Sequence, residues 1–178
     1  MIGLFRTDDG EFTKENALMT TTSAEDGSFS FENIPCGTWY VREIEQPTGF
    51  VLDDTIYPVT IGTDGQVVEI EIVNEYGRGN IHLTKVDSEY PDNKLTGAVF
   101  EVYKDSNNNS KLDEGDELLG TLTEKEIGEY GMNDLFYGRY FVKETKAPDG
   151  FVLDTDVYEV VIDTDGKTYD VENKAGVG

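Results

Sequence analysis

Three polar residues of this chain stand where a β-sheet core takes apolar ones. In Ile81-His82-Leu83-Thr84-Lys85, alternation puts Lys85 on the face of Ile81 and Leu83, because side chains two apart in a strand share a face. The same count on Tyr140-Phe141-Val142-Lys143-Glu144 aligns Glu144 with Tyr140 and Val142. On Tyr169-Asp170-Val171-Glu172-Asn173 it aligns Asn173 with Tyr169 and Val171. An amine, a carboxylic acid and a carboxamide are each costly to bury alone, so a sequence that turns all three inward is expected to bring them together. Away from water the neutral amine and the neutral acid are favoured, which leaves the amine nucleophilic. A protonated Glu144 would polarise the Asn173 carbonyl and shuttle protons while Lys85 attacks and ammonia leaves, giving an isopeptide bond. The competing reading extends Lys85 to solvent and makes Glu144 a strand-end acid and Asn173 a turn residue.

The elements that must position these residues come as a repeat. Gly37-Thr38-Trp39-Tyr40-Val41-Arg42-Glu43 falls on Gly138-Arg139-Tyr140-Phe141-Val142-Lys143-Glu144 at a shift of 101 residues. Pro47-Thr48-Gly49-Phe50-Val51-Leu52-Asp53 falls on Pro148-Asp149-Gly150-Phe151-Val152-Leu153-Asp154 at the same shift, and Thr63-Asp64-Gly65 on Thr164-Asp165-Gly166. Two modules are expected, 1–78 and 79–178, joined through Tyr76-Gly77-Arg78-Gly79, a junction too short for a flexible tether. Each copy has short alternating runs, such as Tyr57–Ile61 and Val68–Ile72, separated by Asp-Gly and Pro-x-Gly turn signals. That pattern predicts an all-β fold of two tandem Ig-like β-sandwiches. Glu11–Leu18 comes nearest to a helix and reads as a loop or one short turn.

The first copy departs from the second. Trp39-Val41-Glu43 and Ile70-Ile72-Asn74 share faces in the same way, so Glu43 and Asn74 match the acid and the amide, but no lysine accompanies them. Ile2–Arg6 matches the Gly97–Tyr103 segment, so residues 1–78 hold no counterpart of the strand Ile81–Asp87. A module missing that N-terminal strand is expected to expose a hydrogen-bonding edge, with Glu43 and Asn74 facing a groove that invites a lysine-bearing strand peptide.

Bulk composition excludes several functions. With 37 acidic residues against 14 basic ones and a net charge of −23, nucleic acid and anionic membrane surfaces are poor partners. No apolar run approaches the roughly 20 residues that span a bilayer. The single cysteine, Cys36, precludes an internal disulfide, and it reads as a strand-start residue; His82 lies opposite Lys85 and reads as solvated. One histidine supports no Ser/His/Asp triad, and the carboxylates are dispersed as on an acidic surface, so no turnover enzyme is expected.

One loop has metal-ligand spacing. From Asp105 to Asp116, oxygen ligands fall at loop positions 1, 3, 5, 9 and 12 through Asp105, Asn107, Asn109, Asp113 and Asp116, with the Lys111 carbonyl at position 7. The pattern resembles the calcium loops of dockerin and related surface modules, although Ser110 replaces the turn glycine and Asp116 the longer glutamate. The alternative is an acidic hairpin loop between strands ending near Tyr103 and starting near Glu117, with no cofactor required.

Leu83-Thr84-Lys85-Val86-Asp87, Gly97-Ala98-Val99-Phe100-Glu101-Val102-Tyr103, Tyr140–Phe151 and Val171-Glu172-Asn173-Lys174 together resemble the Cna-B, or SpaA-type prealbumin-like, modules of Gram-positive adhesins and pilins. The resemblance implies that Lys85 and Asn173 are a bonded pair with Glu144 as the catalytic acid. It further implies a secreted, cell-wall-displayed stalk whose partners are neighbouring modules of the same surface protein. A ligand-binding adhesin region is the rival from another class.

Overall fold

The computed structural model covers residues 1–178 and contains β-strands but no helix, hence none long and apolar enough to cross a membrane. The chain divides into two compact units, Met1–Glu75 and Tyr76–Gly178. Arg78, the last residue of the first copy by sequence, is the first residue of a strand in the second unit.

In the first unit, β1 (Ile2–Phe5), β2 (Met19–Thr21), β3 (Gly37–Glu43) and β4 (Tyr57–Ile61) form one antiparallel sheet in the order β2-β1-β3-β4. Its inner face buries Ile2, Leu4, Trp39, Val41, Val59 and Ile61. The layer against that face comes from irregular segments that contribute Phe29, Phe31, Ile34, Ile70 and Ile72. Val68–Ile72, expected as a strand from its alternation, is not one. Residues 13–17 make the single turn expected there, with the Ala17 N–H donating to the Thr13 carbonyl at 3.1 Å.

The second unit explains that difference. It comprises β5 (Arg78–Asp87), β6 (Val99–Lys104), β7 (Glu117–Thr121), β8 (Thr123–Glu126), β9 (Glu129–Phe136), β10 (Gly138–Lys146), β11 (Val157–Ile162) and β12 (Thr168–Ala175). One sheet runs β11-β10-β6-β7 and the other β12-β5-β9-β8. Ile2 pairs with Glu43 as Phe100 pairs with Glu144, so β1 is the counterpart of β6 and the first unit has no β5. In the second unit β5 is the strand to which both β9 and β12 bond. Alternation supplies an apolar face, but a strand also needs a neighbour for its backbone N–H and C=O groups. Without β5, the first-unit segments matching β9 and β12 keep their apolar contacts and form no ladder.

Between the two sheets of the second unit, Ile81, Leu83, Phe100, Val102, Tyr130, Tyr140, Val142, Val160 and Ile162 make one core cluster. β5 is the most thoroughly buried strand of this unit and alternates inward residues with half-exposed Asn80, His82 and Thr84. Amide hydrogen exchange reads the contrast between the units. Amides of 67–73 are expected to exchange early, those of 168–175 to persist with β5; equal protection of the two segments would contradict this account.

Candidate functional site

β12 runs parallel to β5 in a register that sets Asn173 directly opposite Lys85. Parallel neighbours project side chains to the same side, so both point into the core, where each is 0% exposed. Glu144 enters from β10 of the facing sheet and is 1% exposed. A register shift in the β6–β10 pairing follows Glu144, and such bulges re-aim the side chains beside them. The Lys85 Nζ lies 2.8 Å from Glu144 Oε1 and donates a hydrogen bond to Asn173 Oδ1. Despite that proximity, Oε1 makes no hydrogen bond. The Phe100 ring closes the apolar side, its centroid 5.8 Å from Nζ.

The backbone of Lys85 is held from both sides. Its N–H donates to the Gly128 carbonyl at 2.9 Å, and its own carbonyl accepts from the Leu95 N–H at 2.9 Å. Gly128 has φ of 70°, and a Cβ there would lie 2.9 Å from the Lys85 carbonyl oxygen. Only glycine fits that turn without moving β5.

Two residues that alternation did not single out complete the site. Asp154 Oδ2 accepts hydrogen bonds from Asn173 Nδ2 at 2.6 Å and from the Tyr158 hydroxyl at 2.5 Å, while the Asp154 N–H donates to Glu144 Oε2 at 2.7 Å. Burial pushes the Asp154 carboxyl up, but hydrogen bonds from Tyr158, Asp156 and Asn173, with the charge of Lys85, outweigh it and hold the group below the usual carboxylate range. The Tyr158 hydroxyl is pushed up, first by burial and then by its bond to Asp154. The signal for both lay in the repeat: Asp53 and Tyr57 occupy the same places in the first copy.

The first unit holds the acid and the amide alone. Glu43, 4% exposed, accepts from Asn74 Nδ2 and from the Asp53 N–H, each at 2.7 Å, and Asn74 Nδ2 also donates to the Val51 carbonyl at 3.1 Å. Tyr57 donates to Asp53 at 2.5 Å. Beneath the irregular layer lies a cleft of about 820 Å3, bordered by Phe29, Phe31, Val68 and Ile70 over Leu4 and Val41.

In the loop from 105 to 116, the calcium-type residues bond to one another. Asp105 accepts from the Asn109 and Ser110 N–H groups at 3.1 and 3.0 Å, and Ser110 supplies the required turn at φ of 63°. Asp116 accepts from the Ser106 and Asp113 N–H groups at 3.0 Å each. Asn107 and Asn109 turn their Nδ2 groups, not their oxygens, to Asp113, and Lys111 donates its N–H to Asn109 Oδ1 at 2.9 Å. No three acidic, histidine or cysteine side chains converge as metal ligands. These side chains are committed to hydrogen bonds within the loop.

Cys36 is exposed one residue before β3. His82, expected to be solvated, is instead engaged on the outer face: Nδ1 lies 2.9 Å from Asp170 Oδ1, and Nε2 contacts Glu129, which also receives Lys94. Alternation correctly turned it outward but said nothing of neighbours on adjacent strands.

A β-sandwich unit whose first and last strands pair in parallel around a buried amine, acid and amide, preceded by a unit that repeats the acid and the amide, defines a tandem prealbumin-like protein. The family model described as SpaA, prealbumin-like fold domain, matches residues 2–76 and 79–175, and the chain belongs to that family. It is similar to the trypsin-resistant surface T6 protein of Streptococcus pyogenes serotype M6, 35% identical over 80 residues, which are 45% of this chain and 13% of that protein. Among solved structures it resembles the Bacillus anthracis TIE protein, with a TM-score of 0.79 and 26% identity over 99% of this chain and 30% of that one. The major pilin subunit BcpA of Bacillus cereus matches with a TM-score of 0.47 and 25% identity over 83% of this chain and 41% of that one. The chain thus spans less than half of each of these proteins.

The outer-face cluster generates a pH prediction. The hydrogen bond from Lys94, opposed by burial and aided by His82, holds the Glu129 carboxyl below its usual range. A depressed folded value means that its stabilisation is present above the unfolded pKa of about 4.3 and is lost as pH falls through the folded value. Glu129→Gln should therefore flatten the melting-temperature profile below about pH 4. An unchanged acid limb would contradict the assignment.

Proposed function

We propose that this chain is a stalk segment of an extracellular, cell-wall-displayed surface protein, and that its second unit locks itself with an isopeptide bond between Lys85 and Asn173. The observation that carries the reading is the meeting of amine, acid and amide in a core that water does not reach. The neutral Lys85 amine adds to Asn173 Cγ while Glu144 hydrogen-bonds and protonates the amide. The Nζ–Cγ bond forms, the Cγ–Nδ2 bond breaks, ammonia leaves, and Glu144 ends in its starting protonation state. Each molecule reacts once, so the chemistry is self-modification and not turnover.

The mechanical consequence supports a stalk. The bond would tie the first strand of the unit to the last and close a loop of 88 residues. By the loop-entropy treatment of cross-links that is worth about 4–5 kcal/mol. Tension entering through β5 would leave through β12 across the bond, and the sheets between would carry little of it. The surface location is carried over from the family and from the T6 relative, whose name describes a surface protein.

The intact mass of the denatured protein tests this. Wild type should fall short of its sequence mass by one ammonia, whereas Lys85→Ala and Glu144→Gln should each match their own sequence mass. Wild type at full mass would refute the bond.

The cleft in the first unit favours a second reading, in which a lysine-bearing strand completes that unit and its amine reacts with Asn74 beside Glu43. The peptide Asn80–Asp87 added in trans should give an adduct that survives a denaturing gel and is lost in Asn74→Ala. Unchanged mobility of the wild type would reject peptide capture.

A further inference from the structure

If Lys85 attacks Asn173, the carboxamide must turn its carbon to the amine and shed its nitrogen. An amide nitrogen leaves only once it is protonated, so positive charge gathers on Nδ2 where no water can stabilise it. The structure has a carboxylate at that spot. Asp154 Oδ2 lies 2.6 Å from Nδ2 and is held there by the Tyr158 hydroxyl, while the Asp154 backbone N–H is anchored on Glu144. An ionised carboxylate only accepts, so it also decides which end of the amide faces which way: nitrogen to Asp154, oxygen to Lys85.

We propose that Asp154 is a second catalytic carboxyl group of the cross-linking reaction, which orients the Asn173 carboxamide and stabilises the positive charge on Nδ2 as ammonia departs. This inference rests on the isopeptide reading above. Protons balance without a further reactant. Glu144 takes the proton that the attacking amine loses and delivers one to Nδ2, and Asp154 stays ionised throughout. Its depressed carboxyl suits that role, since the hydrogen bonds from Tyr158, Asp156 and Asn173 work against desolvation to keep it a carboxylate.

The first unit supplies an internal comparison. Asp53 keeps the same two anchors, Tyr57 and Glu43, but the Asn74 nitrogen turns to Glu43 Oε2 instead of to the aspartate. The acid can therefore reach the amide nitrogen in this architecture, as proton delivery requires. Where a lysine sits against the acid, the amide nitrogen lies on the aspartate; where none does, it lies on the acid.

The test uses the full chain and follows the mass of the denatured protein with time after purification. Wild type should be fully short of one ammonia. Asp154→Asn should be isolated with a fraction at full mass that converts about tenfold or more slowly, the scale expected for losing one electrostatic stabiliser. Tyr158→Phe, which loses only the hydroxyl that holds the carboxylate, should fall between them. Cooperative melting of each variant above the assay temperature establishes that the fold is intact, and if Asp154→Asn does not fold, Tyr158→Phe decides. Conversion of folded variants as complete and as fast as wild type would overturn the role of Asp154 and leave the isopeptide reading standing. Wild type at full mass would overturn both.

Discussion

Parallel pairing of β5 with β12 sets Lys85 beside Asn173 inside a water-free core, and the rest of the second unit answers to that juxtaposition. A buried amine needs an anionic or polar partner, and Glu144 supplies it from the opposite sheet at 2.8 Å. The amide in turn needs an acceptor, and the segment after β10 provides it in the half-buried Asp154. Replacing such a buried pair with apolar residues is often neutral or stabilising, so folding stability alone gives little reason to keep it. The proposed cross-link would give a reason, because it consumes the buried amine and leaves a permanent tie between the first and last strands of the unit.

The two units act as a controlled comparison of the same sequence pattern with and without β5. With it, β9 and β12 are strands and the amide nitrogen meets an aspartate. Without it, the matching segments stay irregular over a cleft and the amide rests on Glu43. The central strand therefore supplies both the hydrogen-bonding edge for its neighbours and the buried amine. Within residues 1–178, Glu43 and Asn74 accordingly rest on each other with no lysine between them.

Much of this arrangement is legible in the sequence. Alternation identifies inward residues in regular strands, and it turned Lys85, Glu144 and Asn173 to the core face. It has no hold on Asp154, which lies in an irregular segment without a period, and only the recurrence of Asp53 and Tyr57 as Asp154 and Tyr158 marks that position. The failure at Val68–Ile72 has a different cause: the face was read correctly, but strand formation depends on a partner elsewhere in the chain. His82 and the 105–116 loop show a third limit, since spacing names potential partners without saying whether a side chain meets an acid, a backbone N–H or an ion.

Proteolysis of the denatured protein followed by tandem mass spectrometry tests the central claim most directly, because it locates a bond as well as detecting a mass change. The account predicts a branched species joining the peptide that contains Lys85 to the peptide that contains Asn173, lighter than their sum by one ammonia. Recovery of both only as separate linear peptides, with the amine and the carboxamide intact, would contradict it.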